Sequence, residues 1–134
     1  MATWQFELLF MPTSVVDISE VKRDISSFIP QALGWSDVIL IWGEIDGHRI
    51  ELCDDGLSPE LLVRIDLRNA PSDFIREILS FARHWRYEIK TEEGQVVPLT
   101  MEGIAGAIER SDAFRFVFNP QQFLDSLRTR VPCD

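Results

Sequence analysis

Residues 61–90, LLVRIDLRNAPSDFIREILSFARHWRYEIK, decide the fold class of this chain because their hydrophobic period changes twice. Apolar and polar side chains alternate over residues 61–68, which is typical of a strand. After Pro71, apolar residues recur at helical spacing as far as Trp85. Residues 87–91 alternate again. This strand–helix–strand segment predicts a sheet with a helix packed on it.

The same pattern extends toward the N-terminus. Residues 4–10 alternate and predict a strand whose core-facing side carries Trp4 and three further apolar residues. Asp17 followed by Glu20 is a capping box that opens a helix. Pro30 is expected to end or kink that helix, since proline lacks the amide hydrogen that a helix interior needs.

Hairpins supply most of the remaining connections. Asp46-Gly47 is a strong hairpin signal between the apolar residues 38–42 and the strand that follows. Residues 92–95 predict a second hairpin, and Thr100 is expected to cap a short helix. Residues 114–118 predict one more strand, and Asn119-Pro120 predicts a terminal helix.

These elements predict an α+β domain, with a mainly antiparallel sheet built from strand–helix–hairpin units and helices packed on it. We expect residues 1–134 to form a single globular domain, because no linker or low-complexity stretch interrupts them. Two strand–helix–hairpin units occupy residues 3–53 and 61–99. Their sequences do not align convincingly, so duplication remains an open alternative.

Composition and charge narrow the function classes. The chain is 46% hydrophobic, enough for a core, and has a net charge of −9. Nucleic acid and anionic membranes repel such a chain, so we expect neither as a partner. The residues after Met1 lack the pattern of a secretory signal, and Cys53 and Cys133 are too few for a disulfide framework. A cytoplasmic protein with reduced thiols is the expectation.

Standard catalytic spacings are absent from the sequence, which contains no nucleophile elbow, phosphate loop or paired C-x-x-C. His48 and Cys53 are an odd number of residues apart, so regular pleating places them on opposite faces of a strand. Glu44, Asp46 and His48 carry metal-ligating groups, but solvated turn residues explain them more simply. We therefore expect no metal or other cofactor, and whether the chain is an enzyme stays open, with a non-enzymatic role favoured.

The negative charge is concentrated along the chain. Residues 37–60 carry seven acids against one arginine, a net charge of −6. A concentrated acidic surface can steer a basic protein onto it, and tryptophan is enriched at binding hot spots. The predicted partner-binding residues are Trp35, Trp42, Glu44, Asp46, Glu51, Asp54 and Asp55. By contrast, Arg76, Arg83, Arg86 and Lys90 predict a cationic face if the second helix reaches residue 90.

The order of elements from residue 19 to residue 110, together with the acidity, resembles the secretion chaperones of type III systems. Those chaperones are small dimeric proteins that hold partly unfolded effectors, so the resemblance implies a protein partner and makes a homo-oligomer an option. The chain is also similar in type to bacterial immunity proteins, which are often small, acidic and single-domain. Neither resemblance rests on a residue motif, so neither assigns a binding residue.

The leading hypothesis is a non-enzymatic domain that binds a protein through the acidic hairpin region, whose charge favours a basic partner. An immunity-like or chaperone-like role fits it. The alternative is a small-molecule or metal-dependent enzyme whose site is assembled from residues distant in sequence, as in the vicinal-oxygen-chelate enzymes.

Overall fold

The computed structural model describes residues 4–32, 39–53, 59–68 and 71–111, together with residues 114, 124 and 125. Within this part of the chain, seven strands and three helices follow one another. They are β1 (Gln5–Pro12), α1 (Ile18–Phe28), β2 (Gln31–Ala32), β3 (Ile39–Gly43), β4 (Arg49–Cys53), β5 (Leu61–Asp66), α2 (Ser72–Trp85), β6 (Tyr87–Thr91), β7 (Val96–Val97) and α3 (Met101–Glu109).

The strands form one antiparallel sheet in the order β2-β3-β4-β5-β1-β6-β7. The first strand of each predicted unit, β1 or β5, pairs with the other unit's hairpin, so the two units are interleaved in a single sheet. The β3–β4 hairpin joins the centre of the sheet through β4, which is the second strand of that hairpin. The β6–β7 hairpin joins it through β6, which is the first strand of that hairpin. The two units are thus not placed as equivalent copies. The predicted α+β class is confirmed.

The helices lie on one face of the sheet, and the core fills the space between. The alternation of β1 places Phe6, Leu8 and Phe10 in this core. The register aligns Leu8 with Val63 of β5, and Val63 with Ile50 of β4, so the buried side chains of the central strands form continuous rows. Burial of these rows against α1, α2 and α3 supplies the main driving force for folding.

The opposite face of the sheet carries an ion-pair cluster. The Arg64 guanidinium lies 3.1 Å from Glu7 and 3.6 Å from Glu51, and Arg49 lies 2.9 Å from Glu51. The register explains the grouping, because Arg64 stands opposite both Arg49 and Glu7. Alternation therefore separates the two faces of the sheet into an apolar side and a side rich in paired charges.

Helix ends agree with the sequence patterns in three cases. The Asp17 carboxylate accepts hydrogen bonds from the amides of Ser19 and Glu20 and so caps α1. Thr100 caps α3 by accepting from the Gly103 amide. The helix before Pro30 ends at Phe28, in agreement with the stop that proline predicts.

The second helix spans the residues that the helical spacing predicts. Its N-cap is Pro71, and no side chain caps it. It ends at Trp85, and Arg86 takes a left-handed conformation with φ of 58°. Lys90 lies in β6, so the continuous cationic helix face is not formed. The strand and helix predicted over residues 114–134 fall almost entirely outside the described residues.

None of the helices in the described ranges is long and apolar enough to cross a membrane.

Candidate functional site

The turn between β3 and β4 lies at one end of the sheet and holds the exposed part of the acidic hairpin. Five residues, 44–48, join the strands, because Gly43 pairs with Arg49. The amide of Glu44 donates to the carbonyl of His48 at 3.0 Å, and that of Gly47 donates to the carbonyl of Glu44 at 3.2 Å. The hairpin is where Asp46-Gly47 predicts it, but its loop is longer than a two-residue turn.

Gly43 lets the chain enter this turn. Its φ is +89°, in the region that favours glycine. A Cβ atom at this position would lie 2.1 Å from the carbonyl oxygen of His48, closer than non-bonded atoms can approach. The close approach of β3 to the returning chain therefore needs a residue without a side chain.

Three side chains from outside the hairpin fix the backbone of the turn. The Gln5 amide donates to the carbonyls of Ile45 and Gly47, at 3.2 and 2.8 Å. The carbonyl of Asp46 accepts from the Trp4 indole at 3.0 Å and from the Arg68 guanidinium at 2.8 Å. Trp4, Gln5 and Arg68, which we call the brace, thus hold three consecutive carbonyls with four hydrogen bonds.

Arg68 is itself held in place by Asp66 and Trp4. Both oxygens of the Asp66 carboxylate accept from the guanidinium at 3.0 Å, and one of them also accepts from the Arg68 amide at 2.9 Å. The guanidinium carbon lies 4.1 Å from the centroid of the Trp4 ring, a cation–π distance. Burial acts to raise the pKa of Asp66, but the hydrogen bonds and positive charge of Arg68 outweigh it and lower the pKa below the usual value.

His48 closes the turn on its other side. Its Nδ1 accepts a hydrogen bond from the Asp66 amide at 3.0 Å, and its ring stacks on Phe74 of α2 with centroids 4.4 Å apart. Since Nδ1 accepts, the ring is neutral and its proton lies on Nε2. Burial lowers the pKa of His48, and the charges of Asp66 and Glu44 only partly oppose that effect.

The side chains of Glu44, Ile45 and Asp46 are exposed on the outside of this braced turn, and we call them the turn surface. Ile45 is 65% exposed. An apolar side chain between two carboxylates, on a backbone that is already fixed, can contact a partner with little loss of conformational freedom.

Two of the other predicted site residues, Trp42 and Glu51, lie away from this surface. Trp42 is fully buried in the core, where its indole donates to the Ser26 hydroxyl at 2.9 Å. Glu51 lies in the ion-pair cluster on the sheet face. Trp35, Asp54 and Asp55 lie outside the described residues.

The other chemical candidates are separated in space. His48 belongs to the turn, whereas Cys53 is exposed at the far end of β4. Among residues that the structure describes, no group of three or more His, Cys, Asp or Glu side chains is arranged to hold a metal ion.

The brace is the part of the site that the sequence patterns do not predict. Trp4 belongs by alternation with the core-facing residues of β1, but its ring is only half-buried and covers the Arg68 guanidinium. Gln5 is 2% exposed although it is polar. Its partners are 40 and 42 residues away, so no local spacing signals the contact.

No protein-family model, curated protein or solved structure matches this chain.

Proposed function

We propose that this chain is a non-enzymatic domain that binds a basic protein through the turn surface of Glu44, Ile45 and Asp46. The observation that carries the proposal is the brace, whose four hydrogen bonds hold carbonyls 45–47 while the side chains of the turn surface stay exposed. An immunity-like or chaperone-like role is the kind of function that fits such a surface.

Charge and shape define the partner. The two carboxylates favour a surface rich in lysine or arginine, and they would raise the rate of association with it. Ile45 is a single apolar side chain and fits a small apolar depression on that surface. Because the turn is fixed before binding, most of the interaction free energy is available for affinity.

Charge reversal tests the electrostatic part of the proposal. The variant Glu44→Lys with Asp46→Lys is compared with the variant Glu92→Lys with Glu93→Lys, which alters the turn between β6 and β7 at the same end of the sheet. Each double variant changes the net charge from −9 to −5. The turns are four strand spacings apart, about 19 Å, so the control alters global charge without touching the proposed contact.

The apolar contact is tested by photo-crosslinking. Ile45→benzoylphenylalanine places a crosslinking group on the turn surface, and Val96→benzoylphenylalanine serves as the control because Val96 is 60% exposed at another strand. We expect a partner to be crosslinked from position 45 only. Its affinity, measured with the purified partner, is expected to fall at least about tenfold in the Glu44/Asp46 variant and to change little in the Glu92/Glu93 variant.

Two results would contradict the proposal. One is unchanged affinity of the Glu44/Asp46 variant for the partner. The other is crosslinking of the same partner with equal yield from positions 45 and 96. Circular dichroism of each variant checks that the fold is retained, and all the substituted side chains are exposed.

A further inference from the structure

A cavity of about 290 Å³ lies between α1 and α2, on the helical side of the molecule and away from the turn surface. The residues that line it are Asp24, Phe28, Glu77, Ser80, Phe81, His84 and Trp85. This volume is just below the roughly 300 Å³ at which the range of small-molecule pockets begins, so it suits a ligand of few atoms. The proposed function uses none of these side chains.

Four of the seven residues that line the cavity carry aromatic rings, and contacts between the rings fix their positions. Phe28 of α1 packs against Phe81 of α2 with ring centroids 6.3 Å apart. The rings of His84 and Trp85 meet edge to face at 4.9 Å. The Trp85 indole donates to the Asp24 carboxylate at 2.8 Å, and this bond joins the two helices at the cavity.

Two carboxylates, Asp24 and Glu77, give the cavity a negative charge, and its lining contains no lysine or arginine. Neither carboxylate forms an ion pair with a residue that the structure describes. The arginines of α2 are engaged elsewhere. Arg76 pairs with Asp73 at 3.1 Å, and Arg83 donates to the carbonyl of Leu99 at 2.6 and 3.0 Å.

The hydrogen bonds of Asp24 leave acceptor capacity for a ligand. One carboxylate oxygen accepts from Trp85, and the other receives the Ser27 hydroxyl at the long distance of 3.4 Å. An ionised carboxylate offers about four acceptor positions. A cationic donor can therefore be bound by Asp24 without displacing the Trp85 indole.

We propose that this cavity binds a small organic cation, a protonated amine on an aromatic stem. The carboxylates of Asp24 and Glu77 complement the ammonium group, and the aromatic side chains of Phe28 and Trp85 in the lining suit the stem and the positive charge. The site is independent of the turn surface, so either proposal can fail without the other.

Phenethylamine is the probe, and the side-chain indole resonances of the nitrogen-15-labelled protein are the readout. The Trp85 indole hydrogen bonds to Asp24, so its resonance is expected to shift saturably as the amine is added. The Trp4 indole lies at the β3–β4 turn and serves as an internal control that stays unshifted. Trp85→Phe and Trp4→Phe variants assign the two resonances.

Matched ligands and variants separate the contributions of charge and stem. Phenethyl alcohol has the same stem without the charge, and we expect it to bind at least about tenfold more weakly. Glu77→Gln removes one carboxylate from an exposed position, and we expect about five- to tenfold weaker binding of the amine. Glu93→Gln removes the same charge from the exposed β6–β7 turn, and its affinity is expected to match that of the unaltered chain.

Several outcomes would overturn the proposal. They are no saturable shift of the Trp85 resonance, equal affinity for the amine and the alcohol, and equal affinity of the Glu77→Gln and Glu93→Gln variants. An acetylated and amidated Ala-Arg-Ala peptide forms a separate arm. Tighter binding of this peptide than of phenethylamine would assign the cavity to a side chain of another protein and refute its assignment to a free amine.

Discussion

Replacing Gln5 with methionine is expected to weaken both the fold and the rigidity of the β3–β4 turn. The Gln5 amide donates two of the four hydrogen bonds that hold the turn, to the carbonyls of Ile45 and Gly47. Methionine has nearly the same length and volume but cannot donate. The substitution therefore removes these two bonds without opening a large cavity.

The expected loss of stability is about 2 kcal/mol, because a hydrogen bond contributes about 1 kcal/mol net to folding. The two bonds are only part-buried, so the two carbonyls avoid the full penalty of an unsatisfied buried group. A domain of this length has an unfolding free energy of roughly 7–20 kcal/mol, so the variant stays folded. The midpoint of urea denaturation is expected to fall by about 1 M if the slope is about 2 kcal/mol per M.

Urea denaturation followed by circular dichroism measures this change, and hydrogen exchange locates it. The matched control is Gln31→Met, which alters an exposed glutamine of β2 and is expected to change stability by less than about 0.5 kcal/mol. The amides of Glu44 and Gly47, which form the bonds inside the turn, are expected to exchange several-fold faster in Gln5→Met. Equal stability of the two variants, with unchanged exchange in the turn, would refute the idea that Gln5 fixes it.

Four further predictions concern two side chains with shifted pKa values, a glycine and a helix cap. The pKa of His48 is lowered from 6.5, so the stability that its neutral ring contributes is complete above pH 6.5 and decreases as the pH falls toward the folded pKa. The urea midpoint measured between pH 7.5 and 5.5 should therefore depend less on pH in His48→Gln than in the parent. Asp66 also has a lowered pKa, so its contribution to stability is present above pH 3.8 and is lost as the pH falls through the folded pKa. Asp66→Asn should therefore have a lower urea midpoint than the parent at neutral pH, and the difference should shrink only in strong acid. Gly43→Ala should destabilise more than Gly94→Ala, by about 2 kcal/mol or more, because both have positive φ but only the Cβ at position 43 would meet another atom; equal thermal midpoints of the two variants would contradict this. Thr100→Ala should cost about 1 kcal/mol by removing the cap of α3, and an unchanged urea midpoint would show that the cap contributes nothing.

Local patterns predict the elements of this fold because the responsible interactions are local. Asp17 and Thr100 cap amides two and three residues further along the chain, so their spacing alone predicts where α1 and α3 begin. The end of α2 is also visible in the sequence, because apolar and polar residues begin to alternate after Trp85. The left-handed Arg86 turns the chain into β6 there, so that Tyr87 and Ile89 can join the core.

The candidate site depends on contacts that no local pattern contains. Acidity of the hairpin is visible in the sequence, but its carboxylates do not share one surface. Glu51 points to the sheet face because strand residues alternate, and its charge is paired there with two arginines. The same alternation places the Trp42 side chain on the other face of the sheet, where it packs in the core.

By itself, the sequence determined the α+β class, the positions of most strands and helices, and an acidic segment around one hairpin. These follow from hydrophobic period, capping residues and charge, which act between neighbours in the chain. The tertiary structure alone decided that Trp4, Gln5 and Arg68 meet at carbonyls 45–47, and that Asp24 and Glu77 face the same aromatic cavity. The physical reason is that strand pairing and helix packing join residues 22 to 61 positions apart, and the free energy of those contacts exists only in the assembled fold.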